Sequence, residues 1–132
     1  MLAPLAAADR LILPATGAGE EHAWHLFIVR LRDEGGPTDA AAPGVAILPE
    51  ALQATATRRA GVIDALRAAG IGTSVHFIPL HLHPLYRSMG YGPGDLPNAD
   101  AAYAGAVSLP IWPGMSDASL TRVAAGLEKA LA

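Results

Sequence analysis

The chain has 132 residues, of which 52% are hydrophobic, and this length and composition suit a single domain spanning residues 1–132. The formal net charge of -3 excludes the basic field of a nucleic-acid-binding protein, and no apolar run approaches the roughly 20 residues of a membrane-spanning helix. The absence of cysteine excludes disulfides and thiolate metal sites, and it is consistent with a cytoplasmic protein. The single lysine is Lys129.

The first predicted elements are two strands. Leu11–Leu13 is a short apolar run that ends at Pro14, and residues 16–19 are typical of a turn. The segment Trp24–Leu31 is the strongest strand pattern in the chain, and both of its faces are apolar. Such a strand is expected to lie centrally in a sheet, with other structure covering both sides.

Residues 33–56 are predicted to be a loop or insertion, because Gly, Ala and Pro dominate residues 33–49. Helical periodicity resumes somewhere between residues 49 and 57 and continues to residue 69, where Gly70 is suited to end the helix with a positive φ. The solvent-facing side of this helix is predicted to carry Arg59, Asp64 and Arg67.

A third strand is predicted from Thr73 to Ile78. In this segment apolar residues alternate with Ser74 and His76, and Pro79 cannot continue a strand ladder. Beyond it, residues 84–89 are predicted to form one helical turn that begins at a proline.

The last predicted elements are a helix from Pro97 to Val107 with Asp95 as its N-cap, an extended edge strand over residues 108–113, and a final helix capped by Ser116. One stripe of the final helix is apolar and consists of Leu120, Val123, Leu127 and Leu131. The order of elements predicts a two-layer α+β fold with helices packed on a small mixed or antiparallel sheet. The second apolar face of the strand Trp24–Leu31 indicates contact with another domain or subunit.

Several candidate sites lack an essential part. His81 and His83 project to one side of an extended segment, but no cysteine or carboxylate lies in this stretch to complete a zinc site. Ser74 and Ser108 lack the G-x-S-x-G elbow of a hydrolase. For His76 the pattern favours a core histidine bonded to a backbone carbonyl over a ligand-binding one.

A set of segments in this order resembles one known family. The segments are residues 22–27, Arg59, residues 64–81, residues 95–100 and residues 108–117, which include Ser-Val-His-Phe-Ile-Pro-Leu-His at positions 74–81 and Ser-Leu-Pro-Ile-Trp-Pro-Gly-Met at positions 108–115. Over about residues 10–131 the chain resembles the C-terminal domain of the DegT/DnrJ/EryC1/StrS family. These are pyridoxal-phosphate (PLP) aminotransferases that act on nucleotide-linked keto sugars.

The resemblance implies the small C-terminal domain of a fold-type I PLP-dependent transferase, which packs on a large PLP-binding domain and helps form a dimeric active site. The Schiff-base lysine and the aspartate that pairs with the pyridine nitrogen lie in that large domain, and Lys129 does not match the lysine. PLP is therefore expected in the complete enzyme and not in this chain alone, and no catalytic, cofactor-binding or metal-binding residue is expected here.

The resemblance also implies a substrate-binding set, consisting of His76, Phe77, Pro79 and His81, on the sugar side of the active site. The partners it implies are the missing N-terminal domain or a full-length homologue, a second copy in a homodimer, a nucleotide-sugar substrate and an amino donor such as glutamate. The expected process is amino-sugar biosynthesis for cell-surface polysaccharide. The alternative is a non-catalytic binding or assembly module that associates with a full-length relative.

Overall fold

The computed structural model describes residues 2–3, 10–32, 42 and 44–132. Its sheet has three strands, β1 (Leu11–Ile12), β2 (Phe27–Leu31) and β3 (Ala106–Leu109), in the order β1-β2-β3 with antiparallel pairing throughout. The central position predicted for β2 is therefore confirmed. The strand begins at Phe27 instead of Trp24, because the backbone of Trp24 has a φ of 48°, which is incompatible with extended structure.

The helices are α1 (Glu50–Ala68), α2 (Pro84–Ser88), α3 (Pro97–Gly105) and α4 (Asp117–Leu131), and a 3-10 turn spans Leu80–Leu82. Of the predicted loop over residues 33–56, positions 33–41 and 43 lie outside the described residues. The prediction is wrong for residues 50–56, which form the first turns of α1. They are helical because Thr55 and Ala56 face inward and bury one side of this segment.

Gly70 ends α1 as predicted. Its φ is 69°, and the backbone N–H groups of Gly70 and Ile71 donate to the carbonyls of Arg67 and Leu66 at 2.9 Å each. This pair of bonds is the Schellman arrangement, which satisfies carbonyls that the helix leaves unpaired. Arg122 of α4 donates to the carbonyl of Ala69 at 2.7 Å and places a positive charge at the same helix end.

The strand predicted over residues 73–78 is wrong. Only Ser74 pairs, in an isolated antiparallel bridge to Ser108 of β3. Beyond residue 76 an antiparallel partner would have to come from residues before Ala106, and those residues belong to α3. The segment therefore has no strand to extend along and leaves the sheet.

Two other predicted boundaries also differ from the structure. The helix predicted to reach Val107 ends at Gly105, where the backbone turns into β3. Asp95 does not cap α3, because its carboxylate accepts a hydrogen bond from the N–H of Gly92 at 2.7 Å, inside the preceding loop. Ser116 does cap α4 and accepts from the N–H of Ser119 at 3.2 Å.

The core lies between the sheet and the helices α1 and α4, as the two-layer α+β prediction required. Its buried members are Leu11, Val29, Leu31, Val62, Leu66, Ile71, Val107, Leu109, Leu127 and Leu131. A second cluster joins α1 to α3 and to the 3-10 turn, and consists of Val45, Leu48, Ala56, Leu82, Tyr103 and Ala104. None of the helices in the described part of the chain combines the length and apolarity needed to cross a membrane.

Gly105 and Gly61 provide a matched test of this packing. A Cβ at Gly105 would lie 2.5 Å from the carbonyl oxygen of Leu31, which is backbone and cannot move aside, whereas a Cβ at Gly61 in α1 meets nothing within 4 Å. We expect Gly105→Ala to lower the free energy of unfolding by about 2–3 kcal/mol. Gly61→Ala should raise it by about 0.5–1 kcal/mol, since alanine favours the helix. Urea denaturation of the two variants checks both signs, and equal effects would contradict the close approach at Gly105.

Candidate substrate-binding surface and apolar groove

His76 and Phe77 lie on the surface, in the irregular segment that follows the Ser74–Ser108 bridge. His76 is exposed, so the interpretation of this residue as a core histidine is wrong. The side chain of Phe77 is 85% exposed, and the two rings meet edge to face with their centroids 5.4 Å apart. An imidazole and a phenyl ring are thus presented side by side to solvent.

The other two predicted site residues lie immediately beyond. Pro79 precedes the 3-10 turn, and His81 lies within it with only 3% of its surface exposed. The structure therefore brings together His76, Phe77 and Pro79 at the surface and directs the ring of His81 inward. His83 lies with its Nε2 3.1 Å from the carbonyl oxygen of Ile78.

The buried ring of His81 contacts a buried carboxylate. Its Nε2 lies 3.0 Å from Oδ1 of Asp100, and the two side chains are 3% and 0% exposed. The other oxygen of Asp100 accepts a hydrogen bond from the N–H of Gly94 at 2.8 Å. Sequence reasoning missed Asp100, for which the only local signal is an acidic residue in the first turn of a helix that begins at proline.

An open apolar groove of about 500 Å³ lies between one end of the sheet and the first half of α4. It continues the core face of β2 through Phe27 and also includes Trp24, which precedes the strand. Within the described residues its lining is entirely apolar, and consists of Leu2, Ala3, Leu13, Trp24, Phe27, Leu109, Pro110, Ile111, Met115, Leu120, Val123 and Ala124. The predicted stripe of α4 divides accordingly, with Leu127 and Leu131 buried and Leu120 and Val123 facing the groove.

Trp24 stands at the groove in a strained conformation. A φ of 48° is unfavourable for a bulky residue, and the surroundings must stabilise it. The backbone N–H of Trp24 donates to Nδ1 of His22 at 2.8 Å, and the rings of these residues stack with centroids 4.3 Å apart. The indole remains 37% exposed and leans on Phe27, with 5.5 Å between the ring centroids.

Arg59 is buried, so its predicted position on the solvent-facing side of the helix is wrong. Its Nη1 donates to the carbonyl oxygen of Tyr103, and its guanidinium carbon lies 4.7 Å from the centroid of the Tyr103 ring. Burial lowers the pKa of Arg59, and the neighbouring Tyr103 partly opposes that effect. The arginine thus joins α1 to α3 and does not face a ligand.

Neither Lys129 nor the described lining of the groove fits PLP. Lys129 is exposed on the outer side of α4, and the apolar groove offers neither an amine nor a carboxylate to the cofactor. Among the described residues no three His, Cys, Asp or Glu side chains lie close enough to hold a metal ion. What this arrangement can do chemically is to bind: an apolar groove can hold another apolar surface, and His76 can donate to or accept from a ligand oxygen.

Comparison with known proteins gives a consistent result. The family model for the DegT/DnrJ/EryC1/StrS aminotransferase family matches residues 3–128. The chain is 36% identical over 122 residues to an uncharacterized protein of Methanocaldococcus jannaschii. This match covers 92% of this chain and 27% of that protein. It is 38% identical over 109 residues to the spore coat polysaccharide biosynthesis protein SpsC of Bacillus subtilis, which covers 81% of this chain and 23% of SpsC.

Among solved structures, the fold is similar to that of ntda from Bacillus subtilis with bound cofactor PMP. The TM-score is 0.65 at 22% sequence identity, and the match covers 98% of this chain and 25% of that chain. The chain therefore spans about a quarter of the length of the proteins that it matches.

Lysine substitutions at buried Arg59 and at exposed Arg67 test how much the buried guanidinium contributes to stability. Lysine keeps the charge but loses the planar group that both donates to Tyr103 and stacks on its ring. We expect Arg59→Lys to lower the free energy of unfolding by about 2–3 kcal/mol, because a buried charge loses its hydrogen bond. Arg67 is 74% exposed beside Asp64, so Arg67→Lys should change stability by less than about 0.5 kcal/mol. Thermal and urea unfolding measure both, and a tolerated Arg59→Lys would show that the buried contact contributes little.

Proposed function

Because the chain belongs to the DegT/DnrJ/EryC1/StrS aminotransferase family, we propose that it is the C-terminal part of a PLP-dependent aminotransferase that converts a nucleotide-linked keto sugar to an amino sugar. The name of SpsC, which refers to polysaccharide biosynthesis, supports a sugar substrate, and the PMP-bound ntda structure supports PLP in the complete enzyme. The matches leave about three quarters of each relative outside this chain, which is where we place the cofactor-binding lysine. A nucleotide-linked substrate is consistent with a cytoplasmic enzyme.

The observation that carries this proposal is the open apolar groove. Proteins that act alone rarely leave a continuous apolar surface of this kind uncovered. Trp24, Ile111 and Leu120 line the groove and are between 37% and 39% exposed, so covering them would contribute about 25 cal/mol per Å² of apolar area removed from water. We assign the groove to contact with the PLP-binding part of the enzyme, since that part makes up the remaining length of the relatives.

The surface residues His76, Phe77 and Pro79 are assigned to the sugar. The imidazole of His76 can donate a hydrogen bond to a sugar hydroxyl or keto oxygen, and the exposed phenyl ring of Phe77 offers a flat apolar wall to a deoxysugar carbon. His81 contributes through its place in the adjoining turn, because its ring is buried. PLP supplies the amino-transfer chemistry when bound, and the residues of this chain bind and orient the substrate.

The complete enzyme is proposed to be a homodimer that uses an amino donor such as glutamate. In the active site, this chain supplies one wall and the large domain supplies the cofactor. The second candidate function is a non-catalytic module that binds a full-length relative through the same groove. The exposed position of Lys129 is equally compatible with this function, because a module of this kind needs no Schiff-base lysine.

The coding sequence upstream of Met1 distinguishes the two candidates. An adjacent frame for a lysine-bearing PLP domain, which restores amino transfer to a nucleotide-linked keto sugar when it is expressed with this chain, is the expected result. If no such frame is present, or if the combined protein binds PLP and transfers no amino group to any keto sugar, the proposed enzyme is wrong and the assembly module is favoured.

Leu120 tests the assignment of the groove. It lines the groove and is 37% exposed, so Leu120→Glu should leave folding intact while placing a charge against the apolar partner surface. We expect its affinity for the separately expressed PLP domain to fall about 30-fold in a titration. Leu85 is 62% exposed and lies outside the groove, so Leu85→Glu is the matched control and should bind normally. Equal affinity of the two variants would exclude the groove as the contact.

His76 tests the assignment of the substrate surface. In the combined enzyme His76→Ala should lower kcat/KM for the keto sugar about tenfold, because it removes one hydrogen bond to the substrate. PLP retention, measured by absorbance after dialysis, should not change, since the residue does not hold the cofactor. A parallel loss of PLP and turnover, or no loss of either, would contradict this role. His25→Ala is the control, because this exposed histidine lies outside both the groove and the segment of residues 76–81.

A further inference from the structure

The contact between His81 and Asp100 is unusual because both groups are withdrawn from solvent. With exposures of 3% and 0%, a histidine and a carboxylate at 3.0 Å must compensate for the hydration that each loses. An apolar pair could fill this space with no such cost. The contact therefore calls for an explanation beyond packing, and its place in the fold supplies one.

Asp100 links the 3-10 turn, the loop of residues 90–94 and α3. It belongs to α3, its Oδ1 faces His81 in the 3-10 turn, and its Oδ2 accepts from the N–H of Gly94 in the glycine loop before α3. Neither the turn nor this loop belongs to the sheet or to a long helix. One buried side chain thus fixes both of them to α3.

The 3-10 turn directly follows the surface segment Phe77–Pro79. On the other side, the segment follows the isolated Ser74–Ser108 bridge to the sheet, and the carbonyl oxygen of Ile78 lies 3.1 Å from Nε2 of His83. Within the turn the N–H of Leu82 donates to the carbonyl of Pro79 at 2.9 Å, and the N–H of His83 donates to that of Leu80 at 3.0 Å. Apolar burial holds this region only in part: Leu82 in the turn is buried in the second cluster and Ile78 is 38% exposed, but Phe77 is 85% exposed.

We propose that His81 and Asp100 are positioning residues, which hold the segment Phe77–Pro79 in its place at the surface by fixing the turn that follows it. His81 acts from beneath the surface through Asp100 and does not touch the sugar. The importance of the segment for a substrate rests on the proposed function, whereas the holding action is a property of this chain.

Two amide variants of His81 test whether a polar group must lie at the position of Nε2. The side-chain amide of glutamine reaches about as far as Nε2 of histidine and can still donate to Asp100, whereas that of asparagine reaches only as far as Nδ1. The measurement is backbone amide exchange by NMR on the full 132-residue chain. The amides of Leu82 and His83 report on the turn, and those of β2 and α4 report on global stability.

We expect His81→Asn to lower the protection of Leu82 and His83 about tenfold more than that of β2 and α4, and His81→Gln to retain it within about threefold. Should His81→Asn prove unfolded, Asp100→Ala serves instead, because it removes the contacts with both His81 and Gly94. That variant should lower the protection of Leu82, His83 and Gly94 more than that of β2 and α4. Asp64→Asn, which breaks an exposed pair with Arg67, is the control and should change neither.

A uniform loss of protection over the whole chain would show that the pair contributes only general stability and would overturn the proposal. Unchanged protection of Leu82 and His83, or equal losses in the asparagine and glutamine variants, would overturn it too. No sugar or cofactor enters this experiment. Its failure therefore leaves the proposed aminotransferase role standing, and failure of that role leaves the exchange result valid.

Discussion

The pairing of β2 with β3 is the constraint on which the rest of the structure depends. Phe27 lies opposite Leu109 and Arg30 opposite Ala106, so the register carries the start of β3 to the far end of β2. Because α3 runs directly into β3, this register also presses the backbone of Gly105 against Leu31. The position of α3 is thereby determined, and α3 carries the two side chains that organise its surroundings, Asp100 and Tyr103.

Through those two side chains, α3 contacts both α1 and the 3-10 turn. Through the ring and carbonyl of Tyr103, α3 holds the buried guanidinium of Arg59 and with it the middle of α1. Through Asp100, α3 holds the turn next to the surface residues His76 and Phe77. At each place a polar contact acts together with the second apolar cluster, which joins α1, α3 and the 3-10 turn.

Elements with strong local signals could be predicted from the sequence. The cap at Ser116, the glycine at position 70 and the apolar run of β2 each depend on neighbours within a few residues, and each is found in the structure. The segment 73–78 has the alternation of a strand, but whether it pairs depends on where α3 gives way to β3, about 30 residues later. Arg59 and His81 were misplaced for the same reason, because their burial requires partners on α3 that no local pattern reveals. His76 and Phe77 were proposed as site residues through the family resemblance alone, and the local pattern gave the opposite interpretation for His76.

The open groove also has a consequence for the life of the chain in a cell. The edge strand β1 has two residues, and so short an edge limits pairing with other strands, but the adjoining groove of leucine, tryptophan and methionine side chains lies open. If the chain is one part of an enzyme, as proposed above, polypeptide that emerges from the ribosome without the other part would expose this groove to chaperones and proteases, which recognise such surfaces. Supply of the two parts in equal amounts and at the same time would then govern how much of this chain survives.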